Sequence, residues 1–210
     1  MYSLLLLLLL LFSCTASSPP TPPTFPTSFT ATVTITSNLL PLDTTYPPRT
    51  KTIHLAYSLP LATVKVTTQG RTYVRSYQTS TEYLLKTAPH PSCHRSHLPT
   101  TIPAPILPHL VYVNDELVNG VIAEHYVHET TLSRVHMYFR RGLPVSLVHE
   151  EFHGDKLVRI MTYDYSDVKT VKDGEWEEEQ FGIDGYDHDE CELDVGGYPY
   201  VHLFHHYLRV

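Results

Sequence analysis

The chain has 210 residues, 17 of them proline and 14 histidine, and a formal net charge of −7 at pH 7. A chain of this size buries a real core without depending on disulfides, so a single domain with an extended leader accounts for it. Lys and Arg form no basic stripe, which argues against nucleic acid as a partner.

Met1-Tyr2-Ser3 opens the chain, and an unbroken leucine run from Leu4 to Leu11 with Phe12 follows. The run has the length of a signal peptide and is too short to cross a bilayer. Small residues at Cys14 and Ala16 place cleavage after Ala16, making residues 1–16 the signal peptide and the product a secreted protein. The rival reading is a bacterial lipobox with Cys14 lipidated. Bulky Phe12 and the absence of Lys or Arg ahead of the run speak against it. No second apolar run approaches the roughly 20 residues of a transmembrane helix. Residues 17–28 are rich in Pro, Ser and Thr and hold too little apolar surface to order themselves, so they read as a disordered leader. No Asn-x-Ser/Thr acceptor occurs.

A β-rich domain is expected over 29–210. Phe29 to Asn38 alternates, with Phe29, Ala31, Val33 and Ile35 on one face and Thr30, Thr32, Thr34 and Thr36 on the other. That is the period of a half-buried strand. Further strands are predicted at Thr52 to Ser58, Ala62 to Thr68, Arg71 to Gln78, Thr81 to Lys86, Leu110 to Val113, Val121 to His128, Leu132 to Arg140, Val145 to Glu150 and Leu157 to Tyr165. Gln69-Gly70, Arg141-Gly142 and His153-Gly154-Asp155-Lys156 are turns between them, so the neighbours pair as hairpins. Tyr200 to Val210 is read as a last strand. Helical periodicity is scarce. The fold class is therefore mainly β, a single curved antiparallel sheet built as a meander, with a long irregular Pro-rich loop from Pro89 to Pro108.

Two cysteines remain after the signal peptide, Cys93 in that loop and Cys191. In an oxidising compartment an even pair points to one bridge, which would pin the loop against the acidic segment. Two separate buried thiols are the alternative. From Asp173 to Asp194 there are eleven acidic residues and no Lys or Arg. Asp184, Asp187, Asp189 and Glu190 offer carboxylates for Ca2+, although no EF-hand spacing is present and a plain solvated loop is the competing reading. Histidines cluster at His90, His94 and His97, at His125, His128 and His136, and at His202, His205 and His206. On a strand His125 and His128 face opposite ways, whereas His202 and His206 share a face as strand or helix, which makes them the metal candidates of the tail. No Gly-x-Ser-x-Gly elbow and no cysteine-protease signature occurs, and the chain is expected not to be an enzyme.

From Leu132 onward, Arg134-Val-His-Met-Tyr-Phe139, Arg141-Gly-Leu-Pro-Val145, the turn at Gly154, Tyr163-Asp-Tyr165 and Phe181 ahead of Cys191 form a pattern that resembles the C-terminal half of secreted ependymin-related proteins. That family shares a half-barrel with the bacterial lipoprotein carriers. The resemblance implies a curved sheet with a pocket for a hydrophobic small molecule or lipid, association with Ca2+, extracellular or lysosomal residence, and a homodimer. The chain departs from the family in its two cysteines, its lack of a glycosylation acceptor and its His/Tyr-rich tail.

Three functional readings follow. The first is a non-catalytic extracellular protein that carries or senses an apolar molecule, with Val121, Tyr126, Val135, Tyr138, Leu147, Ile160 and Tyr163 as candidate lining, the concave face selecting which of them serve. The second is a structural or adhesive protein whose tyrosines, histidines and acidic loop make the contacts, favoured if the tyrosines are exposed. The third is a His-site metalloenzyme, which needs three converging ligands and one open position.

Overall fold

A computed structural model describes residues 21, 23–39, 49–87, 89–102, 109–172, 174–176, 180–183 and 185–194. They form one mainly β domain without an α-helix. In chain order the strands are β1 (Ser28–Leu39), β2 (Arg49–Ser58), β3 (Thr63–Thr68), β4 (Arg71–Ser76), β5 (Thr81–Lys86), β6 (Ser92–His97), β7 (Val111–Val118), β8 (Val121–Glu129), β9 (Ser133–Arg140), β10 (Leu143–His153), β11 (Lys156–Thr170) and β12 (Glu192–Leu193). A short 3-10 turn lies at His188–Glu190.

All twelve strands join a single sheet in the order β12-β6-β5-β4-β3-β2-β1-β11-β10-β9-β8-β7. Each pair is antiparallel except β12 with β6. The expected meander is thus two meanders, β1 to β6 and β7 to β11, fused where β1 pairs with β11 from Phe29 opposite Thr170 to Leu39 opposite Arg159. Two-residue hairpins at Asn119-Gly120 and Arg141-Gly142 hold both residues at positive φ, 51° and 78° then 52° and 76°. This backbone matches the twist of the strands it joins. The sheet is neither closed nor strongly curled, and β7 and β12 are its edges.

Curvature follows from the chain's reach. The link from His97 to Val111 passes ten strand positions, about 48 Å at about 4.8 Å each. The registers also displace its ends by about eight residues along the strands, roughly 27 Å. A flat sheet would demand about 55 Å, whereas fourteen steps reach at most about 50 Å. The sheet must bow toward the face this link crosses.

That face holds the main core. Phe29, Val33, Tyr57, Tyr126, Met137 and Phe139 are fully buried on it, and Leu55, Leu147 and Tyr163 nearly so. Phe25, from the segment read as leader, packs into it with ring centroids 5.6 Å from Phe139 and 6.1 Å from both Phe29 and Tyr165. Ile102 and Leu110, on the link between the meanders, pack against the same cluster. The opposite face carries a second core of Val74, Tyr83, Leu85, Cys93, Ile183 and Cys191 under the segment that follows β11. The Cys93–Cys191 disulfide is formed and closes a separation of 98 residues. It binds that segment to β6 and lets Glu192 and Leu193 pair with His94 and Arg95.

Two strand assignments change. Ser92–His97, expected within the irregular Pro-rich loop, is a strand because it pairs with β5 across Thr81–Lys86. β7 runs on to Val118 through Asn114-Asp115-Glu116, poor strand formers that an edge tolerates since their side chains stay in solvent. The predicted strand at Tyr200 to Val210 lies outside the described residues.

One row of the main core face is ionic. Val64 faces Arg75, Arg75 faces Glu82 and Glu82 faces Ser96 across four strands. Arg75 and Glu82 are each 2 % exposed, Arg75 Nε donates to Glu82 Oε2 at 3.0 Å, and Ser96 Oγ donates to Glu82 Oε1 at 3.0 Å. Breaking a buried pair strands a charge at a cost of about 3–5 kcal/mol, while an apolar replacement of both partners removes that penalty. Glu82→Ala is therefore expected to lower the urea midpoint sharply, and the double variant Arg75→Met with Glu82→Leu to recover most of it. Reduction or Cys93→Ser is expected to cost about 3–5 kcal/mol by releasing the long loop, read as a drop in thermal midpoint that reductant does not deepen in the variant.

Candidate ligand-binding site

Among the described residues a cavity of about 280 Å³ opens on the main core face. Strand alternation builds it. Ile35, Ser37, Ile53, Val66, Tyr73 and Met161 present their side chains to this face because they share its parity with Phe29, Val33 and Leu55. Three cations stand around the apolar floor. Lys51 is opposite Ile35, Arg49 is opposite Ser37, and Arg159 is opposite Leu39. Arg159 Nη1 lies 3.3 Å from Glu151 Oε2 in a half-exposed pair, which solvent screens to a small energy. Arg49 makes no ion pair among the described residues.

The cavity is slightly smaller than the usual range of ligand pockets, about 300–1,000 Å³. It accepts one short chain or ring and excludes a pair of acyl chains. An apolar floor with cations at the mouth suits a molecule with an apolar body and an anionic head.

The residues singled out in the sequence fall elsewhere. Tyr126, Val135, Leu147 and Tyr163 do share the core face, but they are packed into its closed part at 0 to 8 % exposure and do not line the cavity. The Tyr126 hydroxyl donates to Glu124 Oε2 at 3.1 Å, and burial first, then this bond and the Glu124 charge, push its pKa up to about 12. Tyr138 and Ile160 are on the opposite face, opposite His125 and Glu150 respectively. Val121 is half-buried where the β7–β8 hairpin turns. Arg49, Lys51 and Arg159 were passed over, yet Arg49, Lys51, Ile53 and Leu55 alternate in one strand as two cations followed by two apolar residues of equal parity. That pattern is the signal a cationic mouth leaves in sequence.

Among the described residues no group of three His, Cys, Asp or Glu converges in a way that could hold a metal ion. Asp187 precedes the 3-10 turn and Glu190 ends it, while Asp189 reaches Arg95 at 3.6 Å. Asp184, His202 and His206 lie outside the described residues. His94 is taken up by Ser92 Oγ at 3.1 Å and Glu192 at 3.6 Å. His125 and His128 do face opposite sides, and His125 instead meets His136, Nε2 to Nδ1 at 3.0 Å, with Tyr138 stacked at 4.6 Å. The other His125 nitrogen is held by Asn114 Oδ1 at 3.2 Å and Glu116 at 3.4 Å, while Glu150 lies 3.6 Å from His136. This polar chain ties β7, β8, β9 and β10 together and leaves no coordination position open.

No known protein family matches the chain, and no curated protein matches it either.

Burial, then the neighbouring His136, hold the His125 imidazole below its ordinary value of 6.5, with Glu116 opposing. The unfolded chain takes up this proton more readily, so stability is complete above the ordinary value and falls as pH drops through the depressed one. Urea midpoints are expected to decrease on acidification below about pH 6.5, and His125→Gln to flatten that slope.

Proposed function

We propose that the protein is a non-catalytic extracellular binding protein that carries or senses a small amphipathic molecule. The apolar body of the ligand occupies the cavity between β1, β2, β3, β4 and β11, and its anionic head meets Arg49, Lys51 and Arg159. The observation that carries this reading is the coincidence of an apolar floor and a triple cationic mouth in one opening of the core face. The disulfide supports an oxidising compartment, where such bridges persist. Among the described residues no helix is long and apolar enough to cross a membrane. The resemblance to ependymin-related proteins, whose half-barrel is associated with hydrophobic ligands, points the same way. The adhesive reading gains nothing here, since none of the ten described tyrosines is exposed.

The test uses the full chain from an oxidising secretory host. It is titrated with hexanoic acid and with methyl hexanoate, following chemical-shift changes by NMR. The acid is expected to bind about tenfold more tightly than the ester, as charge-assisted hydrogen bonds allow. Arg49→Ala with Arg159→Ala should erase that preference, and Val66→Trp should abolish binding of both by filling the floor. Equal binding of acid and ester that persists in the arginine variant, or unaltered binding in Val66→Trp, would remove the cavity from consideration.

A further inference from the structure

The β6 end of the sheet brings together three side chains that the cavity does not use. Lys86 faces Ser92 and Leu84 faces His94 across the β5–β6 pairing, so strand alternation sends Ser92 and His94, two residues apart, to one face. Glu192 reaches them from far along the chain. The Cys93–Cys191 disulfide joins the residue before His94 to the residue before Glu192, and the parallel pairing of β12 with β6 sets Glu192 opposite His94. A Ser-x-His sequence on one strand thus meets its carboxylate through the bridge.

Ser92 Oγ lies 3.1 Å from His94 Nε2, and Glu192 Oε2 lies 3.6 Å from His94 Nδ1. Lys86 Nζ lies 3.5 Å from the same Nε2. An ammonium only donates, so Nε2 presents its lone pair toward Lys86 and Ser92, and the ring proton sits on Nδ1 toward the carboxylate. That tautomer is the one a general base needs. Nε2 can take the Ser92 hydroxyl proton while Glu192 supports the imidazolium that forms. Such relays are often long at rest and tighten when substrate binds. Lys86, across the strand pair from Ser92, adds a cation beside the point where an oxyanion would develop. Ser92 and His94 are half-buried, whereas Glu192 and the preceding Pro89, His90 and Pro91 are exposed, which leaves the approach open to a small molecule.

We infer that Ser92 is a nucleophile, His94 its general base and Glu192 the positioning residue of that base, and that this end of the sheet hydrolyses small activated acyl esters. Ser92 Oγ bonds to the ester carbonyl carbon as its proton passes to His94 Nε2, and the carbonyl oxygen takes up the displaced electron pair beside Lys86. The pair then returns, the bond to the alcohol oxygen breaks, and the alcohol leaves with the proton from His94. Water attacks the acyl-Ser92 by the same route, releasing the carboxylic acid and restoring the serine. Solvent screens the exposed Glu192, which weakens its hold on the imidazole and restricts the site to esters with good leaving groups. Carriage in the apolar cavity is non-catalytic; this site shares no residue with it and does not depend on that reading.

The full chain with its disulfide intact is treated with diisopropyl fluorophosphate and digested for mass spectrometry, and is assayed separately with 4-nitrophenyl acetate. The phosphoryl group is expected on Ser92, with fluoride leaving, and an acid quench during turnover should trap an acetyl group on the same residue. Ser92→Ala should remove both adducts, and it and His94→Gln should each lower ester hydrolysis about a hundredfold with unchanged circular dichroism. Glu192→Gln should lower the rate about tenfold and Glu192→Asp restore most of it, a recovery that a residue serving only the fold would not show. Absence of any adduct on Ser92 in the unaltered chain overturns the proposal without recourse to a variant. Ester hydrolysis that Ser92→Ala leaves unchanged also overturns it, assigning the rate to exposed imidazoles such as His90.

Discussion

The pairing of β1 with β11 is the contact on which the rest of the molecule depends. Each meander forms from neighbours in sequence, but this seam joins residues more than a hundred positions apart, Phe29 with Thr170 and Leu39 with Arg159. Its formation costs the closure entropy of most of the chain, which local hairpins do not bear. In return it brings Val33 opposite Tyr165 and Ile35 opposite Tyr163, merging two half-covered sheets into one buried cluster. Without the seam neither meander has a face wide enough to bury its aromatic residues.

A single sheet has two faces, and here different parts of the chain cover them. The N-terminal approach through Phe25 and the link bearing Ile102 and Leu110 shield the core face, while the segment after β11 shields the other, fastened by Cys93–Cys191. Among the described residues an apolar cavity opens on the first face, lined from β1, β2, β3, β4 and β11, and a polar cleft opens on the second, against β1, β2 and β3. Their opposite chemistries come from strand parity: Ile35 and Ile53 point one way, Thr32 and His54 the other.

Buried polarity is handled in two distinct ways. Arg75 and Glu82 are charged in the core and compensate each other, so that pair fixes register across β3 to β6 more than it adds net stability. His125 and His136 meet through their ring nitrogens on the opposite face, where Glu116, Glu150 and Asn114 occupy the remaining nitrogens. The second arrangement responds to pH through His125, whose imidazole is held below its ordinary value by burial and then by His136.

Much of the secondary structure was legible in the sequence because period-2 alternation and turn dipeptides are local properties: Phe29 to Asn38, Val121 to His128 and the Arg141-Gly142 turn each follow from a few adjacent residues. The Cys93–Cys191 bridge was legible for a different reason, since setting Cys14 aside with the expected signal peptide leaves two cysteines and a single pairing. Ser92 to His97 and Asn114 to Val118 were not legible, because their extended form is imposed by neighbouring strands and not by their own side chains. The functional residues divide along the same line. A sequence read strand by strand shows which residues share a face, and it therefore determined the mainly β fold, the two-faced strands and the separation of His125 from His128. That Arg49, Lys51 and Arg159 ring one opening was decided only by the β1–β11 seam, because it depends on contacts between residues that the chain holds far apart.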